Sequence, residues 1–184
     1  NLVVDPVVDA DPAYEAAMAA AGFRPTAEIQ PSRHRMLRPI EPGATDAMIL
    51  AAMTKSARQR IRDAVKAGTV VEEDPAGVHL EAFGRLVAAA AGRKGFRYTE
   101  ASGFASWWRR IVASGDGCFL VALADGRLAG GLLAYRQGGT FATAFSADDA
   151  SLRADRPGTM HALRYEILRR ARDAGATEIG RAHV

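Results

Sequence analysis

One cysteine among 184 residues, Cys118, leaves no internal disulfide and no cysteine-built metal site to consider. It lies in the apolar run Cys118-Phe119-Leu120-Val121-Ala122, the setting of a small core residue, and cysteine usage this sparse points to the reducing cytoplasm. The histidines are also few: His34, His79, His161 and His183 stand apart from one another and from Cys118, so no ligand spacing arises and no metal is expected. No run of 18 apolar residues occurs, and no charged segment precedes a short apolar one, so neither a membrane span nor a signal peptide is read. Lysine is scarce beside arginine, but alanine and glycine are abundant too. That joint bias is the mark of GC-rich coding, and the arginine excess is not by itself a sign of phosphate binding. A net charge of +3 permits a nucleic-acid or phosphate partner without requiring one.

What is present is ample apolar material for one sizeable core, at 48% hydrophobic residues, and one concentrated basic segment. Within Met53 to Gly68, Met53, Ala57, Ile61, Ala64 and Val65 share one helical face, while Arg58, Arg62 and Lys66 stack at i, i+4, i+8 beside it. Only Asp63 offsets the five cations Lys55, Arg58, Arg60, Arg62 and Lys66. Like charges four apart cost a few tenths of a kcal/mol per pair, roughly, which an anionic partner would relieve; a solvated face is the plainer reading. Thr45 or Asp46 caps a preceding helix through Met48, Ile49 and Met53, and 45–68 is expected as a helical arm rather than core.

Along the chain, Leu2-Val3-Val4 reads as a strand without a preceding partner. An unpaired apolar edge of that kind invites a second copy, so a homo-oligomer is among the expected partners. Asp11-Pro12 opens a helix that ends at Ala21-Gly22-Phe23, and 28–37 is extended. Val70-Val71-Glu72-Glu73 is a strand; Leu80, Phe83, Leu86, Val87 and Ala90 mark a helix ending near Gly92; Phe104, Trp107, Trp108, Ile111 and Val112 mark the next, with burial expected for at least one tryptophan. Cys118 to Phe145 reads as a three-stranded antiparallel meander, because Asp125-Gly126 and Gln137-Gly138-Gly139 are tight-turn signals between apolar runs. A polar loop over 146–157, a helix with Met160, Leu163, Ile167, Ala171 and Ala174, a stop at Gly175 and a strand at Ile179 complete the order.

Two helices, a three-strand meander, a helix and a strand resemble the GNAT acyltransferase topology, an α/β fold with helices on both faces of a mixed, mostly antiparallel sheet. GNAT enzymes that use acetyl-CoA hold its pyrophosphate on a turn of Arg or Gln, two residues, Gly, one residue, and Gly or Ala. Here the stretch is Asp155-Arg156-Pro157-Gly158-Thr159-Met160, with an acid and a bulky side chain at two of the marked positions. No CoA, and no other cofactor, is therefore expected.

The basic segment, Arg93-Lys94-Gly95-Phe96, the run Leu120 to Gly130 and the segment Ala162 to Ile179 resemble the second GNAT-like domain of the Fem-type peptidoglycan-bridge aminoacyltransferases, and 1–37 resembles the end of their first domain. The resemblance implies an incomplete GNAT-like domain over 38–184, the family's Phe-Lys tail having no counterpart here. It implies a cytoplasmic transferase that moves an amino acid from aminoacyl-tRNA onto an amine of a nucleotide-sugar peptide or lipid-linked cell-wall precursor. Lys55, Arg58, Arg62 and Lys66 are the candidates for the tRNA backbone, and Arg93, Lys94 and Arg97 for the acceptor's diphosphate. Asp148 and Asp149 are the candidate proton acceptors, although two Asp in a polar loop also serve simply as turn formers. An acetyl-CoA-dependent N-acetyltransferase with a divergent cradle and a non-catalytic tRNA-binding module are the alternatives.

Overall fold

Asp125-Gly126 turns the chain as its sequence requires: both residues adopt positive φ, 49° and 72°, and Ala124 faces Arg127 across the two-residue loop. The structure, a computed structural model, describes residues 11–25, 35–95 and 104–182, in two compact units, Asn1–Arg33 and His34–Val184. In the first unit α1 (Pro12–Ala20) starts at Asp11, whose carboxylate accepts from Ala13 N–H at 2.8 Å, and no residue of the helix is buried. The expected strand at Leu2 to Val4 lies outside the described residues.

The second unit is built on a six-stranded sheet formed by β1 (Arg35–Pro39), β2 (Val70–Glu73), β3 (Gly117–Ala124), β4 (Arg127–Gln137), β5 (Thr140–Asp148) and β6 (Glu178–Ala182), in the order β1-β6-β5-β4-β3-β2. The meander β3-β4-β5 forms as the turn chemistry dictates, and only β5 and β6 are parallel, joined by the crossover helix α6 (Thr159–Asp173). β1 pairs antiparallel with β6 at the sheet's edge, so Met36 and Leu37 belong to this sheet. β5 runs on to Asp148, three residues into the stretch expected as loop, and its extra residue Ala144 forms a bulge opposite Leu133 and Ala134.

Alternation along β3 divides the core between the two faces. Phe119 and Val121 join Phe83, Val87, Trp108 and Leu133 under α4 (Leu80–Lys94) and α5 (Phe104–Ala113). Leu120 and Ala122 join Leu132, Phe141, Leu163 and Ile167 under α6, where Cys118 is also buried as expected.

The segment 45–68 does not stand off as an arm. It forms α2 (Asp46–Ala51) and α3 (Lys55–Lys66), and Ile49, Ile61 and Ala64 are buried. Burying those three side chains is worth several kcal/mol, roughly 1.5–3 for each large one, far more than the repulsion along the stripe costs. Val65 is 68% exposed, at the rim of the seam rather than in it. An ion-paired face adds to the docking: Asp46 accepts from Arg169 at 2.9 Å and Arg172 at 2.6 Å, tying α2 to α6.

Candidate functional site

Thr54 starts α3 by accepting from Ala57 N–H at 3.2 Å, which fixes the phase of the basic residues that follow. At about 100° per residue, Lys55, Gln59, Arg62 and Lys66 at i, i+4, i+7 and i+11 form one row, opposite the side that buries Ile61 and Ala64. All four are exposed, and the row is about 16 Å long at 1.5 Å per residue. Gln59 is its neutral brace: it accepts from Arg62 at 2.7 Å and donates to Asp63 at 2.8 Å.

Arg58 departs from the expected stripe. It lies to one side of the row, half-buried, and its Nη1 donates to the carbonyls of Met53 at 2.6 Å and Ala51 at 3.2 Å. Those carbonyls close the end of α2, so Arg58 acts as that helix's C-terminal clamp, satisfying acceptors that would otherwise need water.

The opposite flank of α3 meets the turn before α6. The Arg60 carbonyl lies so close to Gly158, at φ +84°, that a Cβ there would come within 1.9 Å of the oxygen. Arg156 of the same turn donates to the Ala67 carbonyl at the end of α3 and pairs with Asp125 of the β3–β4 hairpin. Thr159 is buried, and its hydroxyl donates to the Arg156 carbonyl at 2.9 Å. A pyrophosphate needs free amides and open approach at such a turn; here a carbonyl oxygen, an acceptor like the phosphate oxygens themselves, covers it. The residues present therefore do not fit CoA. Sequence reading found the two spoiled positions in the turn but not α3 lying across it, since that contact spans about a hundred residues of chain.

A second cluster forms where α4 and β5 end. α4 runs past Gly92 and stops at Gly95, so Arg93 and Lys94 lie on its last turn rather than in a loop. Arg93 acts electrostatically on both Asp148 and Asp149, which brings three of the candidate residues together; Arg97 lies outside the described residues. Arg153, a residue missed from sequence, grips both oxygens of Asp148 from Nε at 2.8 Å and Nη2 at 2.7 Å and, despite burial, holds that carboxyl below the usual range. Asp149 accepts from the Ser151 hydroxyl at 2.6 Å and the Ser151 amide at 2.9 Å, which likewise lower it. Carboxylates held this low remain ionised at neutral pH and are weak proton acceptors. Their arrangement fits holding a cationic group in place rather than removing its proton.

Among the described residues no group of His, Cys, Asp and Glu is arranged to hold a metal ion, and no helix is long and apolar enough to cross a membrane.

Residues 51–180 match the family described as the acetyltransferase (GNAT) domain. No curated protein sequence matches the chain. Among solved structures, FemX superposes with a TM-score of 0.72 at 19% identity over 92% of this chain and 59% of its own, so the chain spans well under two thirds of that protein's length. The C-terminal domain of a putative lysylphosphatidylglycerol synthetase from Agrobacterium fabrum gives 0.54 at 14% identity, over 92% and 51% of the two chains. A GNAT-family acetyltransferase from Staphylococcus aureus Mu50 gives 0.52 at 11% identity, over 63% and 74%. These likenesses bear out the expected fold, including its similarity to a Fem-type protein. With the family match covering most of its length, and a mixed sheet carrying helices on both faces, the chain belongs to the GNAT acyltransferase family.

Proposed function

We propose that this acyltransferase takes its acyl group from aminoacyl-tRNA and forms an amide on an amine of a peptidoglycan precursor, either a nucleotide-sugar peptide or its lipid-linked form. The observation that carries this reading is the double use of α3: one flank closes the turn that CoA would need, and the outward face presents Lys55, Arg62 and Lys66 as a row of exposed cations. Point charges at helical spacing suit a phosphate backbone and read no bases. Likeness in fold to FemX and to a synthetase named for an aminoacylated lipid supports the same donor chemistry.

In the reaction, the acceptor amine attacks the ester carbon that joins the amino acid to the tRNA terminus. A C–N bond forms, the ester C–O bond breaks, and the proton lost by the amine ends on the released ribose hydroxyl. The donor is already activated, so positioning and electrostatics supply the catalysis. Arg93 and Lys94 on the last turn of α4 bind the acceptor's diphosphate, and the ionised Asp148 and Asp149 hold its ammonium, which gives up its extra proton to water before the neutral amine attacks.

The test is single-turnover transfer from tRNA charged with a labelled amino acid to a nucleotide-sugar pentapeptide, run beside the same reaction with acetyl-CoA. Labelled amide from the tRNA reaction alone is expected. Acetyl transfer without aminoacyl transfer would overturn the reading, and tRNA binding without any transfer would replace it with a nucleic-acid-binding module.

A further inference from the structure

α3 carries a second cationic edge, separate from its outward row. Arg60 lies about 140° around the helix from Lys55, on the side where the backbone of α3 meets the turn before α6. His161 stands on the first turn of α6, three residues from Gly158, whose carbonyl accepts from its amide at 2.8 Å. Arg164, exposed, follows at i+3 on the same helix face. The backbone contact between Arg60 and Gly158 thus draws cations from two helices to one seam.

We propose that Arg60, His161 and Arg164 form a phosphate-binding seam between α3 and α6, which takes a backbone phosphate of the RNA donor and binds it more tightly when His161 is protonated. The proposal rests on the aminoacyl-tRNA reading and adds to it a named contact and a pH dependence. Among the described residues, the charged groups that act on His161 are Arg164 from its own helix and Arg60 from α3, both cations. Burial first, and then those two guanidinium groups, push the imidazole below its ordinary value. An anion between the three groups offsets the repulsion that the two guanidinium groups exert on the imidazole, so the imidazolium gains most. The ligand is held by side chains, because the amide turn itself is covered by Arg60's carbonyl.

The sign of the dependence follows. If bound RNA raises the His161 pKa, the added affinity is fully present below the free-protein pKa and is lost as pH rises through the bound-state pKa. A rise of one unit corresponds to about tenfold in affinity across that window.

The experiment is an NMR titration of the histidine side chains of the full chain, alone and saturated with a tRNA acceptor-stem hairpin, with His161→Gln identifying the resonance. The hairpin is expected to raise the His161 pKa by about one unit or more. Arg60→Gln is expected to weaken hairpin binding several-fold at pH 6 and to reduce that rise; its side chain is exposed and its contact with Gly158 is made by backbone, so the variant folds. Hairpin bound with an unmoved His161 pKa would overturn the seam and leave the aminoacyl-tRNA reading standing. No hairpin binding at pH 6 or pH 7.5 would overturn both. A rise produced by uridine diphosphate but not by the hairpin would also overturn the proposal, giving the seam to a nucleotide acceptor.

Discussion

The Arg60 carbonyl and Gly158 meet backbone to backbone, and a Cβ at position 158 would sit 1.9 Å from that oxygen. The contact locks the basic helix α3 onto the start of α6, and it makes glycine a requirement there twice over, through positive φ and through space.

Gly158→Ala is expected to destabilise the fold by more than about 2 kcal/mol, the left-handed backbone costing roughly 1–2 kcal/mol and the displaced helix adding to it. For a domain of this size that lowers Tm by about 4–8 °C or more. Gly175→Ala is the control: it shares the positive φ, at 71°, but has nothing within 4 Å of its Cβ, so it should lose only the backbone part. Equal losses for the two in thermal denaturation would show that α3 does not press on the turn.

Arg58 and Arg62 should separate stability from binding. Arg58→Ala removes a charged donor from the carbonyls of Ala51 and Met53 and should cost about 1–3 kcal/mol while leaving the salt dependence of RNA binding unchanged. Arg62→Ala with Lys66→Ala should leave Tm nearly unmoved and flatten the plot of log K against log salt by about 1.4–1.8. The opposite partition would place the phosphate contacts on the clamp side of α3.

Asp74 gives the domain an acid-sensitive point. It is buried, which pushes its carboxyl up, but N–H donors from His79 at 2.7 Å and Val78 at 3.0 Å, with the His79 ring at 3.0 Å, outweigh that and hold it below the ordinary value. A depressed folded pKa means that its stabilisation is present above the unfolded value, about 3.9, and is lost as pH falls through the folded one. Asp74→Asn should cost about 1–3 kcal/mol at pH 7 and should narrow its gap to the parent protein as pH falls below about 4, in urea titrations at fixed pH.

The meander was legible in sequence because its information is local: Asp125-Gly126 fixes one hairpin, Gly138-Gly139 the other, and the alternation from Phe119 to Ala122 assigns the faces. The place of β1 was not, because Arg35–Pro39 finds its partner β6 some 140 residues later, and nothing near Met36 or Leu37 announces that pairing. The basic helix was legible as a helix but not in its allegiances. Helical spacing put Arg58 and Val65 on the right sides within about 60°, and at that resolution a clamp and a phosphate contact look alike. Arg153 passed unnoticed because its role exists only once β5 extends to Asp148.

The donor is the central question, and equilibrium binding of an aminoacyl-tRNA and of acetyl-CoA to the same preparation, across a salt series, answers it most directly. The expected result is saturable RNA binding with a slope of about −2 to −3 in log K against log salt, set by Lys55, Arg62 and Lys66, and no heat of binding with acetyl-CoA. Stoichiometric acetyl-CoA binding, with RNA binding absent or independent of those three residues, would contradict it.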